Sequence, residues 1–241
     1  NMPALRKSFE ITLANAATAL NNGQLQLAEE ILTKLKASSS RDPQFLHLLG
    51  LVALYKNDFE DAKKHLLAAS IIDKKSIVYA LDIGVAQIKN RQLKESISRF
   101  CKFVRRNNVP EKTLFEIGMA QLGKRNFEHA VLAFEGLKML SRENAIVHAN
   151  LGIAYQFIDK FERAQQCYEK AILLHHSDAD IFSNLALLHL REGKSSEAIS
   201  LFLRATKVNP NHQQSYRNIG HELARLGQYE DAVEPLEKAV F

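Results

Sequence analysis

Apolar and small residues return in register along this chain every 34 positions. One column pairs an aliphatic residue with a small one: Leu49-Gly50, Ile83-Gly84, Ile117-Gly118, Leu151-Gly152, Leu185-Ala186 and Ile219-Gly220. A second small column follows, running Ala28, Ala62, Ser96, Ala130, Ala164, Ala198 and Ala232. A third is large throughout: Leu32, Leu66, Phe100, Phe134, Tyr168, Phe202 and Leu236. The register never slips, so internal repetition decides the fold before local propensity does.

Small residues let two helices approach closely, and large side chains fill the flanking gaps. The pattern therefore predicts an all-α chain built from helix–turn–helix units. Between the two helices of each unit lies a turn column of Gly23, Asn57, Gly193 and Gly227, with Arg91, Arg125 and Asp159 elsewhere. Glycine there closes the first helix by taking a positive φ. Asp42-Pro43, Pro110 and Asn209-Pro210 stop the second helix of their units. The packing and turn columns use eight of the ten glycines, which leaves few for a phosphate-binding loop. Seven units follow, at 9–42, 43–76, 77–110, 111–144, 145–178, 179–212 and 213–241.

A 34-residue helix–turn–helix with these columns resembles the tetratricopeptide repeat. Its spacing is met by Leu151, Gly152, Tyr155, Ala164, Tyr168 and Ala171 in one unit. The next meets it with Phe182, Leu185, Ala186, Gly193, Ala198, Phe202, Ala205 and Pro210. The resemblance implies a right-handed superhelical solenoid over 9–241. First helices would line its concave wall and second helices its convex wall, and its work would be protein binding. The family's leading Trp is absent; that column reads Thr12, Leu46, Ala80, Leu114, His148, Phe182 and Tyr216. Asn15-Ala16 stands where Leu-Gly is expected, so the first unit reads as an N-terminal cap. Residues 1–8 read as part of that cap, with Asn1 an addition left by expression. The seventh unit stops at Phe241 without a polar-faced closing element, which such stacks normally need.

On each first helix the stripe opposite the hairpin core falls at positions 2, 6, 9 and 13 of the unit. Position 6 reads Ala14, Leu48, Asp82, Glu116, Asn150, Asn184, Asn218. An asparagine amide offers a donor and an acceptor, which suits the backbone of an extended peptide. This column is similar to the asparagine ladder of O-linked N-acetylglucosamine transferases. The alternative is that the amides bridge neighbouring helices. Position 9 reads Ala17, Leu51, Val85, Met119, Ile153, Leu187, His221. It is either an apolar groove floor or a surface buried between adjacent first helices. The candidate groove is thus Asp82, Glu116, Met119, Asn150, Ile153, Asn184, Leu187, Asn218 and His221. No Lys/Asn set repeats as a carboxylate clamp would require.

The formal net charge is +5. The unit 77–110 carries that excess, with Lys94, Arg99, Lys102, Arg105 and Arg106 on its second helix. This basic patch fits an acidic protein, an anionic membrane surface or nucleic acid, or is a solvated face. Phe100 and Phe103 fall at core spacing, so no aromatics interleave for base stacking.

Catalytic chemistry finds no foothold. Gly118 to Arg125 imitates a phosphate loop but lacks the Mg²⁺-binding Ser or Thr and a preceding strand. His175, His176, Asp178 and Asp180 read as a solvated loop rather than a metal site, and His148 and His189 as core or semi-core side chains. Cys101 and Cys167 form no C-x-x-C pair. No metal, cofactor, specific nucleic acid or membrane insertion is expected. A reduced, cytoplasmic setting is, since the residues after Met2 contain no export-type apolar core. The leading expectation is a non-catalytic module binding an extended peptide or a partner helix. The alternatives are the recognition arm of a longer glycosyl- or sulfotransferase, and a self-assembling scaffold.

Overall fold

The computed structural model describes residues 2–35, 41–175 and 177–240. Asn1, His176 and Phe241 lie outside the described residues. Fourteen α-helices and no strand occur among them. They are α1 (Met2–Asn21), α2 (Leu25–Leu35), α3 (Pro43–Tyr55), α4 (Phe59–Ile72), α5 (Ile77–Lys89), α6 (Leu93–Arg106) and α7 (Glu111–Gly123). Then follow α8 (Phe127–Leu140), α9 (Ala145–Phe157), α10 (Phe161–Leu173), α11 (Ala179–Arg191), α12 (Ser195–Val208), α13 (Gln213–Arg225) and α14 (Tyr229–Lys238). From α3 onward every odd-numbered helix starts on the first residue of a 34-residue unit. Residues 2–8 are helical and continuous with the first unit, within α1.

Helix ends follow local chemistry. The side chains of Asp42, Ser76, Asn144, Asp178 and His212 accept backbone N–H groups at the starts of α3, α5, α9, α11 and α13. These residues also recur on the repeat, and they satisfy donors that the first helical turn leaves open. The whole turn column is left-handed, including the non-glycine residues Asn57, Arg91, Arg125 and Asp159 at φ 58–63°.

The chain divides into two compact units, Asn1–Gln121 and Leu122–Phe241. In the first, α3 packs on α4, α4 on α5 and α5 on α6. In the second, the pairs α9 with α10, α11 with α12 and α13 with α14 pack closely, and α8 lies against α9. The small and large columns meet inside these hairpins. A Cβ placed on Gly50 would stand 2.6 Å from Leu66 Cγ, on Gly152 2.5 Å from Tyr168 Cε1, and on Gly220 2.5 Å from Leu236 Cγ. No real Cβ fits there, so the large residue of the second helix occupies the space that glycine leaves on the first. Leu66 and Tyr168 are fully buried as a result, and Phe100, Phe134 and Phe202 of the same column are fully buried too. Each such burial contributes roughly 1.5–3 kcal/mol. Where the small column holds serine, Ser96 Oγ donates to the Gly84 carbonyl at 2.7 Å, so the hydroxyl is buried at little cost.

One element departs from the expected layering. A second helix should keep one face outward, yet α8 is buried continuously from Ala130 to Leu137, while α7 buries only Leu114 and Gly118. The sequence HAVLAFEGLKML explains α8, because it is apolar nearly all round, and such a helix goes inside.

Two outcomes test the packing. Gly152→Ala should destabilise by roughly 1–3 kcal/mol through overpacking against the Tyr168 ring. Gly123→Ala, where a Cβ meets nothing within 4 Å, should be neutral in the same urea titration. Arg91→Gly should raise stability by about 1 kcal/mol, because it relieves a left-handed non-glycine residue.

Candidate peptide-binding face

On α9, α11 and α13 the stripe at positions 2, 6, 9 and 13 is exposed at its margins and half-buried at position 6. On α9 it presents Ile146, Asn150, Ile153 and Phe157. Phe157 is 51% exposed; its ring stacks on Phe127 at 4.2 Å and lies 5.3 Å from the Arg125 guanidinium. An aromatic held this way is a rigid apolar step two helical turns along from Asn150. On α11 the stripe carries Asn184 and Leu187, both half-buried, with exposed Asp180 and Arg191 at its margins. Leu187 also packs against the cluster of Ala186, Ala198, Phe202 and Ile219. On α13 it carries half-buried Asn218 and exposed His221.

The three asparagines differ in what they hold. Asn150 Nδ2 donates to the Ile146 carbonyl one turn back on its own helix, at 3.0 Å. The Asn184 amide hydrogen-bonds the Tyr168 hydroxyl of α10, which itself donates to Gln156 Oε1 at 2.8 Å. Asn184 therefore ties one hairpin to the next. Asn218 Nδ2 is buried and has no partner.

In the first unit Asp82 is buried, and its carboxylate meets His47 Nε2 at 2.6 Å across α3 and α5. Tyr79 packs on that imidazole at 4.8 Å. Val85 in the same stripe is also buried, whereas Glu116 and Met119 on α7 are exposed, Met119 to 42%.

Other polar groups are structural. Glu222 accepts from Arg225 Nε at 2.9 Å, and the same guanidinium donates to Ser195 Oγ at the start of α12. The bond from Arg225 holds the Glu222 carboxyl down at about 2, from an ordinary value of 4.5. Buried Glu135 accepts from the Tyr155 hydroxyl, which takes a bond from Arg163 at 3.3 Å. Burial pushes the neighbouring Cys167 thiol up to about 12, so it stays protonated and inert. His148 is buried, with Nε2 at 2.9 Å from the Arg142 carbonyl, and His189 is half-buried. Asp178 caps α11 and Asp180 pairs with His212 at 2.9 Å. Among the described residues no group of three or more His, Cys, Asp or Glu converges on a metal position. No helix among them is long and apolar enough to cross a membrane.

Stacked helical hairpins with a mixed amide and apolar stripe define a helical-repeat protein. Residues 149–207 and 183–241 match the family model for the tetratricopeptide repeat. Residues 149–241 are thus built of tetratricopeptide repeats, and the same columns continue at the same period through the preceding residues. No curated protein matches the chain. Among solved structures, MamA is similar at 22% identity and a TM-score of 0.54, over 66% of this chain and 92% of MamA. A MamA RS-1 double mutant is similar at 16% identity and a TM-score of 0.52, over 68% of this chain and 92% of the other. These likenesses establish the shared fold.

The differing roles of the asparagines give a direct test. Asn184→Ala should cost about 1 kcal/mol by removing a bond between hairpins. Asn150→Ala should leave the melting curve nearly unchanged. The Glu222 contribution to stability has a defined pH window. Its folded pKa lies below the unfolded one, so the contribution is full above 4.5 and is lost as pH falls to about 2. In acid unfolding, the stability gap between wild type and Glu222→Gln should close across that interval.

Proposed function

We propose that the chain binds an extended peptide of a partner protein along the first-helix stripe of its second unit, through Asn150, Ile153, Asn184, Leu187, Asn218 and His221. One observation carries the reading: two of the three asparagines keep amides that no neighbouring helix uses. Asn150 bonds only a carbonyl of its own helix, and Asn218 has an unpaired amide donor. A buried donor without a partner calls for an acceptor, and a peptide carbonyl supplies one. Asn184 sets the spacing by fixing α11 against α10. An extended peptide offers its backbone N–H and C=O groups at regular intervals, so amides in a row recognise it whatever its side chains. Ile153, Leu187 and the Phe157 step give alternate side chains an apolar seat. In the first unit, exposed Glu116 and Met119 offer a carboxylate and a thioether to the same class of partner, while Asp82 works within the protein, paired to His47. The chain in this reading recognises and does not catalyse.

The test is an array of random dodecapeptides probed with wild-type chain and with Asn150→Ala/Asn218→Ala. A set of peptides should bind the wild type and lose roughly ten- to a hundredfold in affinity to the double variant, the worth of two hydrogen bonds. The melting temperature should not move. Undiminished binding to the double variant would contradict the proposal.

A further inference from the structure

The basic unit also holds a cavity, separate from the stripe. The cavity lies between α4 and α6, with α5 beneath, and has a volume of about 580 Å³. Its floor is apolar: Ile83 from α5 and Phe100 from α6 are buried, and Phe103 is half-buried against Phe100 at 6.1 Å. Repeat spacing puts Phe103 in the core, but here it lines open space. Its rim is cationic, with Lys74 on one side and Arg99, Lys102 and Arg106 on the other. Asp73 and Glu95 also line it, so basic groups outnumber acidic ones two to one. Gln87 lines the cavity too; it is 5% exposed, and its Oε1 is buried without a hydrogen-bond partner.

We infer that this cavity is a docking site for an acidic amphipathic helix of a partner protein, one that inserts a tyrosine or tryptophan. Charge complementarity sets the sign of the partner. Arg99, Lys102 and Arg106 are spaced i, i+3 and i+7 on α6, so they form a row about 10 Å long. Carboxylates at the same spacing on a helix laid alongside α6 meet all three. The floor sets the other face of the partner, since an apolar floor is covered by side chains rather than by phosphates. Gln87 sets the anchor. An unpaired acceptor among apolar groups needs a donor carried on an apolar body, which is the description of a Tyr hydroxyl or a Trp indole N–H. A flat anionic membrane brings charge but nothing to fill the cavity. A nucleic-acid backbone brings charge at every residue but cannot bury an aliphatic floor.

The experiment is selection of a phage-displayed library of helical fifteen-residue peptides, with acidic and neutral members, on the intact chain. Selected peptides are then measured by fluorescence anisotropy. Enrichment of peptides with carboxylates at i, i+3 and i+7 and a Tyr or Trp on the opposite face supports the site. Their affinity should fall roughly tenfold or more for Arg99→Gln/Lys102→Gln/Arg106→Gln, and similarly for Ser98→Trp, which fills the cavity without changing charge. Gln87→Leu should shift the selected aromatic from Tyr or Trp to Phe. All these positions except Gln87 are exposed, so circular dichroism should show unchanged folding for the first two variants. Selection of neutral peptides, or acidic peptides that bind both variants undiminished, would overturn the inference. So would tighter binding of a single-stranded oligonucleotide or of phosphatidylserine vesicles than of any selected peptide, abolished by the triple variant. Because the stripe is untouched by these substitutions, failure here leaves the peptide reading above standing, and the converse holds.

Discussion

The structure depends on one contact made repeatedly: a large side chain of a second helix seated against a small residue of the first, which at three hairpins is a glycine with no Cβ. Leu66 over Gly50, Tyr168 over Gly152 and Leu236 over Gly220 are three instances within the same geometry. The contact fixes how close the two helices come and which faces they turn to each other. It also fixes where each helix begins relative to the next, since the partners stand in constant sequence register. With those choices made, each hairpin is a rigid block, and function is left to the residues that the contact does not use.

Those residues have sorted themselves by whether they find a partner inside the protein. Asp82 finds His47, Glu222 finds Arg225 and Ser195, Glu135 finds Tyr155, and Ser96 finds the Gly84 carbonyl. Such pairings cost little to bury and specify how neighbouring helices meet. Two of the four buried polar atoms without a partner among the described residues, the Asn218 amide nitrogen and the Gln87 carbonyl oxygen, stand at the two surfaces proposed as binding sites; Ser183 Oγ and His189 Nδ1 do not. Both surfaces join an unpaired polar atom to nearby apolar side chains, which is the composition of a recognition site more than of a solvated face.

Much of this was legible in the sequence, because the hairpin contact is local. The spacing of Gly50, Ala62 and Leu66 is enough to place two helices and the turn at Asn57. The left-handed column includes Arg91, Arg125 and Asp159 as well as the glycines. The capping column of Asp42, Ser76, Asn144 and Asp178 was equally visible at the same period but is easy to miss beside the apolar ones. What the columns could not tell depends on packing between hairpins. Asn150 and Asn184 occupy the same repeat position, yet only Asn184 meets a tyrosine hydroxyl, because Tyr168 is the one tyrosine in a column of Leu and Phe. The burial of α8 on all sides was written in its run of apolar residues, against the average for its position. The space beneath Phe103 arises from the separation of α4 and α6, which no periodicity encodes.

The central claim is that a large residue filling a glycine's missing Cβ holds the hairpins of Gly50, Gly152 and Gly220, and a double-mutant cycle on Gly50 and Leu66 tests it most directly. Leu66→Ala empties a fully buried site and Gly50→Ala forces a methyl group into it. Unfolding free energies of the wild type, both single variants and the double variant are measured by urea titration. The account predicts strong coupling, with the double variant less destabilised than the sum of the singles by about 1–3 kcal/mol, since the new methyl group takes space the leucine has vacated. Additive effects within about 0.5 kcal/mol would contradict it.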